Sequence, residues 1–162
     1  MTQKGLKALR ETVRQASGDA GAWFGLGEAA LSAGEVGEAR FAFTQAVYLA
    51  PQDIAQAVRA AGHLVSAKCF GEAEHILRRL FEREPENKEV TVQLAALLLD
   101  TGRESQAESI LGGLVDRHPR DIDLRLLLAT ACQRYGALEK VPALHRKKGI
   151  RVRRRSAPEP LC

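Results

Sequence analysis

Apolar and small side chains recur in the first third of the chain at the spacing of two short helices. Trp23, Leu26 and Ala30 fall on one helical face, and a second apolar face follows after Gly34. That second face ends at Pro51, because proline cannot continue a helix. The pattern predicts two helices that fold against each other across a glycine turn.

Small residues within this pair have a steric role. Gly27 lies where a side chain would collide with the paired helix, and Ala39 lets the second helix approach closely. Phe43 and Ala46 continue the apolar face of that second helix. We therefore expect a close contact between the two helices, with the aromatic ring directed into it.

The same pattern returns, more weakly, at intervals of 34 residues. The position of Trp23 is taken in turn by Ala57, Thr91 and Arg125, and that of Pro51 by Pro85 and Pro119. One helical pair of this size cannot bury its own apolar face, so neighbouring pairs must supply the core by stacking. The sequence thus predicts a linear array of similar helical pairs.

The segment WFGLGEAALSAGEVGEARFAFTQAVYLAP resembles a tetratricopeptide repeat, a helix–turn–helix unit with a period of ~34 residues and the signature W-x₂-L-G…A-x₃-F…P. Only the aromatic residue that the signature places at Ala30 is missing. The resemblance implies an all-α fold: a tetratricopeptide-repeat solenoid, in which antiparallel helix pairs form a right-handed superhelix.

The 34-residue period sets the expected boundaries of the repeats. Residues 1–18 are interpreted as an N-terminal capping helix, or as the remnant of a longer array. The remaining parts are an array at 19–147, with full repeats at about 20–53, 54–87 and 88–121 and a partial fourth at 122–147, and a basic tail at 148–162 that we expect to be disordered. In the fourth repeat, a short second helix is expected over about 141–147.

The helix ends carry their own signals. Asp53 and Asp121 are suited to cap the first helices of the second and fourth repeats. Gly102 tolerates a positive φ between the helices of the third repeat. Lys68 occupies the corresponding place in the second repeat, so that turn is expected to depart from the pattern.

In tetratricopeptide arrays the first helices of successive repeats line a concave groove, and the resemblance assigns this role to ten residues, here called the groove residues. They are Phe24, Glu28, Leu31, Val58, Arg59, Val65, Val92, Gln93, Leu99 and Leu126. The apolar ones form two columns, the first of Phe24, Val58, Val92 and Leu126 and the second of Leu31, Val65 and Leu99. An exposed apolar surface of this length usually marks a binding site. The alternative is that neighbouring helices, or the C-terminal segment folding back, bury these residues.

An apolar groove suits an extended or helical peptide with regularly spaced hydrophobic anchors. We therefore expect a non-enzymatic interaction module, scaffold or chaperone that binds another protein, while self-association through the ends of the array stays open. Some tetratricopeptide co-chaperones bind a terminal carboxylate with Lys, Asn and Arg, but of the corresponding residues here only Arg59 can donate to one. The segment WFGLGEAALSAGEVGEARFAF also resembles the first repeat of bacterial type III secretion translocator chaperones, and this resemblance fades after about Ala67.

The positive charge of the chain is concentrated near its end. The run HRKKGIRVRRR contains seven positive residues and no acid, namely Arg146, Lys147, Lys148, Arg151, Arg153, Arg154 and Arg155. Since the net charge is +4, these seven leave −3 for the rest of the chain. The run is a candidate for binding nucleic acid or an anionic membrane through charge. No aromatic residue is interleaved to stack on bases, so a solvated terminus is the favoured interpretation.

Residues that carry catalysis or bind metals form no recognisable set. The four histidines do not recur at metal-ligand spacing, and the glutamates alternate with Arg and Lys as on a solvated helix face. We therefore expect no enzyme, no cofactor and no metal. Three cysteines without recurring spacing favour a reducing compartment, and no apolar run is long enough to span a bilayer, so the expected location is the cytoplasm. The resemblance to type III secretion translocator chaperones implies that this cytoplasm is bacterial.

Overall fold

The computed structural model describes the backbone of residues 3–134 and the side chains of residues 5–133, and this part of the chain consists of α-helices joined by short turns, with no strand. The helices are α1 (Gln3–Gln15), α2 (Ala20–Ser32), α3 (Val36–Leu49), α4 (Ile54–Ser66), α5 (Phe70–Arg83), α6 (Lys88–Asp100), α7 (Glu104–Arg117) and α8 (Ile122–Arg134). Consecutive helices pack against each other, and α4 also contacts α6 as α3 contacts α5. The predicted all-α solenoid of stacked helix pairs is confirmed. The helix expected over about 141–147 and the basic tail lie outside the described residues.

The first helix of each pair begins after a capping side chain. The four caps stand 34 residues apart, at Asp19, Asp53, Asn87 and Asp121. Each side-chain oxygen accepts a hydrogen bond from a backbone N–H two or three residues further on, at 2.8, 2.8, 3.2 and 3.1 Å in that order. Such a cap stabilises a helix by about 1 kcal/mol. The capping roles predicted for Asp53 and Asp121 are confirmed.

The register of the repeats follows from these caps. Trp23, Ala57, Thr91 and Arg125 are each the fourth residue of their helix, in α2, α4, α6 and α8. The four positions are therefore equivalent on the first helices of successive repeats, as the period predicts. Their side chains differ widely, so this equivalence depends on the caps, the turns and the buried small residues rather than on one conserved side chain.

The turn inside each pair has the same backbone geometry in three repeats. Gly34, Lys68 and Gly102 have φ values of 80°, 63° and 73°. In all three turns the next N–H bonds to the carbonyl five residues before it, at 2.8, 2.9 and 2.7 Å, which satisfies a terminal acceptor of the first helix. The expectation that the turn at Lys68 departs from the pattern is wrong. Lysine adopts the left-handed conformation that this hydrogen bond requires, at a cost of roughly 1–2 kcal/mol relative to glycine.

The core repeats small and large residues at fixed positions of the second helices. Six of these side chains are fully buried, the small Ala39, Ala73 and Ala107 and the large Phe43, Leu77 and Leu111. The steric role predicted for Gly27 is confirmed, because a Cβ atom there would lie 2.7 Å from Cε1 of Phe43. The aromatic ring of the first repeat thus fills the space that a side chain on α2 would occupy.

Ion pairs link successive second helices. Arg10 on α1 binds Glu38 on α3 with an Nη2–Oε2 distance of 2.7 Å, and Arg40 on α3 lies 3.0 Å from Glu72 on α5. These pairs are largely exposed, so each contributes at most about 1 kcal/mol. Their regular placement along the array nevertheless helps to fix how each repeat lies on the next.

The least exposed of these links is built around Glu74 on α5. Its two carboxylate oxygens accept hydrogen bonds of 2.6 Å from the guanidinium of Arg103, at the start of α7, and Arg78 donates to it at 2.7 Å. These contacts, that of Arg103 first, lower the pKa of Glu74 to about 2. The charged carboxylate therefore stabilises the packing of the second repeat on the third.

We expect Glu74→Gln to lower the free energy of unfolding by about 2 kcal/mol near pH 7, because the amide loses the charge-assisted bonds to Arg103. A carboxylate with a depressed pKa stabilises the fold above its unfolded pKa and loses that contribution as the pH falls towards its folded pKa. The difference between wild type and variant, measured by urea unfolding, should therefore shrink between about pH 5 and pH 2. The exposed Glu82→Gln is the control, and a Glu74→Gln difference independent of pH would contradict the assignment.

Candidate peptide-binding groove

The ten groove residues lie on the first helices α2, α4, α6 and α8, and they differ in exposure. Three are buried (Phe24, Val58 and Leu99), four are half-buried (Leu31, Val65, Val92 and Gln93) and three are exposed (Glu28, Arg59 and Leu126). The expectation that both apolar columns are exposed is wrong for the three buried residues. Only the C-terminal end of the first column presents a large apolar side chain to solvent.

The reason is visible at Phe24, which is covered by the next repeat. The guanidinium carbon of Arg59 lies 4.7 Å from the centre of the Phe24 ring, and the ring of His63 lies 5.9 Å from it. His63 also stacks on Phe43 at 5.2 Å, and its Nε2 atom lies 3.4 Å from a carboxylate oxygen of Glu28. His63 is thus a packing residue between the first two repeats. Each repeat covers part of the groove surface of the one before it.

The described part of α8 lacks this cover. Val58 and Leu126 occupy equivalent positions two repeats apart, yet Val58 is 1% exposed and Leu126 66%. Ile54 and Ile122, the first residues of α4 and α8, differ in the same way, since Ile54 is half-buried and Ile122 is 70% exposed. The helix α6 follows α4, whereas no described helix follows α8 at that distance. We call the exposed surface of Ile122 and Leu126 the α8 face.

Carboxylates lie beside the α8 face. Glu89 and Asp123 are both exposed and both take the second position of their helices, α6 and α8, and neither forms an ion pair with another described residue. Asp121 is paired with Lys88, with an Nζ–Oδ2 distance of 2.5 Å, and that contact lowers the pKa of Asp121. The hydrogen bond to Asp121 raises the pKa of Lys88, and the nearby charge of Asp123 adds to that shift. Arg125, which precedes Leu126 on α8, is exposed as well, so this end of the groove presents an apolar surface flanked by two unpaired carboxylates and one guanidinium.

Two exposed aromatic residues on α3 were not anticipated from the sequence. Phe41 is 56% and Tyr48 73% exposed, and the rings of Trp23 and Phe41 pack in a T-shaped arrangement with centres 5.5 Å apart. The equivalent positions on α5 hold the polar residues His75 and Glu82. An aromatic residue at a position that is polar in the next repeat is therefore the sequence feature that indicates this exposed surface. These residues belong to a second helix rather than to the groove helices, which makes them useful controls.

The other candidate features are a site on the basic run, a metal site, a membrane-spanning helix and a cleft. The seven basic residues of the C-terminal run lie outside the described residues. Within the described part, no three His, Cys, Asp or Glu side chains are grouped so as to hold a metal ion, and no helix there is long and apolar enough to cross a bilayer. A cleft of about 700 Å³ lies between α1 and the turn after α2, lined by residues that include Leu6, Arg10 and Glu35. It is separate from the groove residues.

Comparison with known proteins agrees with this architecture. Two family models described as tetratricopeptide repeat match residues 2–54 and 64–131. The chain is therefore a member of the tetratricopeptide-repeat family, whose proteins are generally non-enzymatic scaffolds that bind other proteins. No curated protein matches it.

Several solved structures share the fold at low sequence identity. A structure of MamA (AMB-1) is 19% identical with a TM-score of 0.64, covering 89% of this chain and 85% of its own. MamA from Desulfovibrio magneticus is 18% identical with a TM-score of 0.59, covering 91% and 87%. A tetratricopeptide repeat protein from Parabacteroides merdae is 16% identical with a TM-score of 0.66, covering 88% and 57%. At these identities the likeness concerns the fold alone.

Proposed function

We propose that this protein is a non-enzymatic scaffold that binds a peptide or helix of another protein in its groove, with the α8 face as the main anchoring surface. The observation that carries the proposal is the exposure of Ile122 and Leu126 at positions that are covered in an earlier repeat. Burying a side chain of this size against a partner contributes about 1.5–3 kcal/mol. Among the groove residues, Val92 and Gln93 on α6 are half-buried and extend the surface towards the middle of the array.

The charges beside the α8 face specify the partner further. Glu89 and Asp123 favour a segment with lysine or arginine flanking an apolar anchor, and they disfavour an acidic one. A chaperone that holds an apolar segment of a secreted protein, as the resemblance of the first repeat suggests, is one form of this function. Action in the bacterial cytoplasm is part of the same proposal.

Leu126→Glu is expected to weaken binding of such a segment at least tenfold, about 1.4 kcal/mol, because it removes the apolar anchor and adds a charge. The probe is a synthetic peptide library with leucine anchors flanked by either Lys or Glu, and affinities of the selected peptides are measured by calorimetry. Tyr48→Glu is the matched control, since it places the same charge at an exposed side chain on α3.

The selection should favour Lys-flanked peptides, and Tyr48→Glu should bind them as the wild type does. Equal binding by wild type and Leu126→Glu would contradict the proposal, as would a preference for Glu-flanked peptides. Leu126 is suited to this test because its exposed side chain leaves the fold intact when replaced, whereas a charge at the buried Phe24 would disturb the core.

A further inference from the structure

Peptide binding in the groove gives no role to the basic C-terminal run. We propose that this run, residues 146–155, binds the α8 face and the carboxylates beside it, and so occupies the partner's site in the free protein. The contact would be formed within one molecule. Its regulatory consequence rests on the proposed function, whereas the contact itself does not.

The two surfaces are complementary in charge and in apolar content. The run carries seven positive residues and no acid, and it includes the apolar residues Ile150 and Val152. On the other side, Ile122 and Leu126 are exposed on α8, together with Asp123 and Arg125 of the same helix, and the exposed Glu89 takes the position of Asp123 on α6. Opposite charges that meet beside an exposed apolar surface attract each other at low salt and are screened at high salt.

The chain between α8 and the basic run is long enough for the run to reach the α8 face. Between Arg134, the last residue of α8, and Arg146 the chain reaches about 30 Å with the expected helix over about 141–147 formed. The helix α8 has 13 residues and is therefore about 20 Å long, so the run can return to its first turn with length to spare. Because the run is tethered, its local concentration at the α8 face is high, and a second copy is not required.

The contact would act as a competitor for the proposed partner. A partner with an apolar anchor between basic residues would use the same carboxylates as the run, and would have to displace it. The basic character of the tail then has a specific role, which is to hold the groove occupied until a partner with a better apolar anchor binds. Binding of nucleic acid or a membrane by the run would compete with this contact.

The test is limited trypsin digestion of the full chain at low salt, with cleavage after Arg151 to Arg155 followed by mass spectrometry. The test variant is Glu89→Gln with Asp123→Asn, and the matched control is Glu82→Gln with Asp116→Asn, which makes the same charge change at exposed residues of α5 and α7. We expect the test variant to be cut in the run at least about threefold faster than wild type, because cleavage follows the fraction of open state. The control should equal the wild type, and high salt should remove the difference.

Equal cleavage in wild type, test variant and control would overturn the proposal. Protection that increases with protein concentration would also overturn it, because the run would then bind a second copy. No partner is present in this experiment, so its result is independent of the peptide-binding measurement. Failure of Leu126→Glu to weaken peptide binding would refute the proposed function and leave the tail contact to be judged by proteolysis.

Discussion

Phe43→Ala is expected to lower the free energy of unfolding by about 3–5 kcal/mol, the largest single effect in this chain. The Phe43 ring is fully buried, stacks on His63 at 5.2 Å and forms a T-shaped contact with Phe24 at 5.3 Å between ring centres. It therefore joins α2 and α3 of the first repeat to α4 of the second. Removing the ring leaves a cavity where two repeats meet, because the stacked helices cannot move together to fill it.

The measurement is urea unfolding followed by far-ultraviolet circular dichroism. Phe41→Ala is the matched control, because Phe41 lies two residues away on the same helix and is more than half exposed. It should lose less than about 1 kcal/mol. Similar losses for Phe41→Ala and Phe43→Ala would contradict a packing role of the Phe43 ring between the first two repeats.

Gly27→Ala is expected to destabilise the protein by about 1–3 kcal/mol, although alanine is normally the better residue in a helix by about 1 kcal/mol. The added methyl group would lie 2.7–2.9 Å from three atoms of the Phe43 ring, which the core holds in place. The other repeats show how the conflict is resolved. Where the position of Gly27 holds Ala61, the position of Phe43 holds Leu77.

Phe43→Leu in the same molecule should therefore recover part of the loss caused by Gly27→Ala. The pair Ala95 and Leu111 in the third repeat gives the same combination a second time, and all of these residues are buried. The double-mutant cycle should show a favourable coupling of at least about 1 kcal/mol between the two substitutions. Simple addition of the two single losses would contradict a direct steric conflict between Gly27 and Phe43.

The parts of the fold that the sequence predicted are those set by local chemistry. The aspartates at Asp53 and Asp121 identified helix starts, and the absent side chain of Gly27 identified a close approach. Lys68 shows the limit of this reasoning. Residue type alone indicated an irregular turn, whereas the hydrogen bonds at the end of α4 impose the left-handed conformation that the glycines adopt in the other repeats.

The candidate site was less predictable for a different reason. Periodicity shows which side of a helix a residue lies on, but not which neighbour covers that side. Phe24, Val58 and Leu126 occupy equivalent positions, and only the last is exposed, because the cover comes from side chains such as Arg59 in the following repeat. Exposure in a solenoid therefore depends on the place of a repeat in the array as well as on its own sequence.

Amide chemical shifts report directly whether a partner binds at the C-terminal end of the groove. A Lys-flanked peptide from the library is added to the isotope-labelled full chain. The largest shift changes are expected on α6 and α8, around Val92 and Leu126. Changes centred on Phe41 and Tyr48 of α3, with α8 unaffected, would contradict binding at that end of the groove.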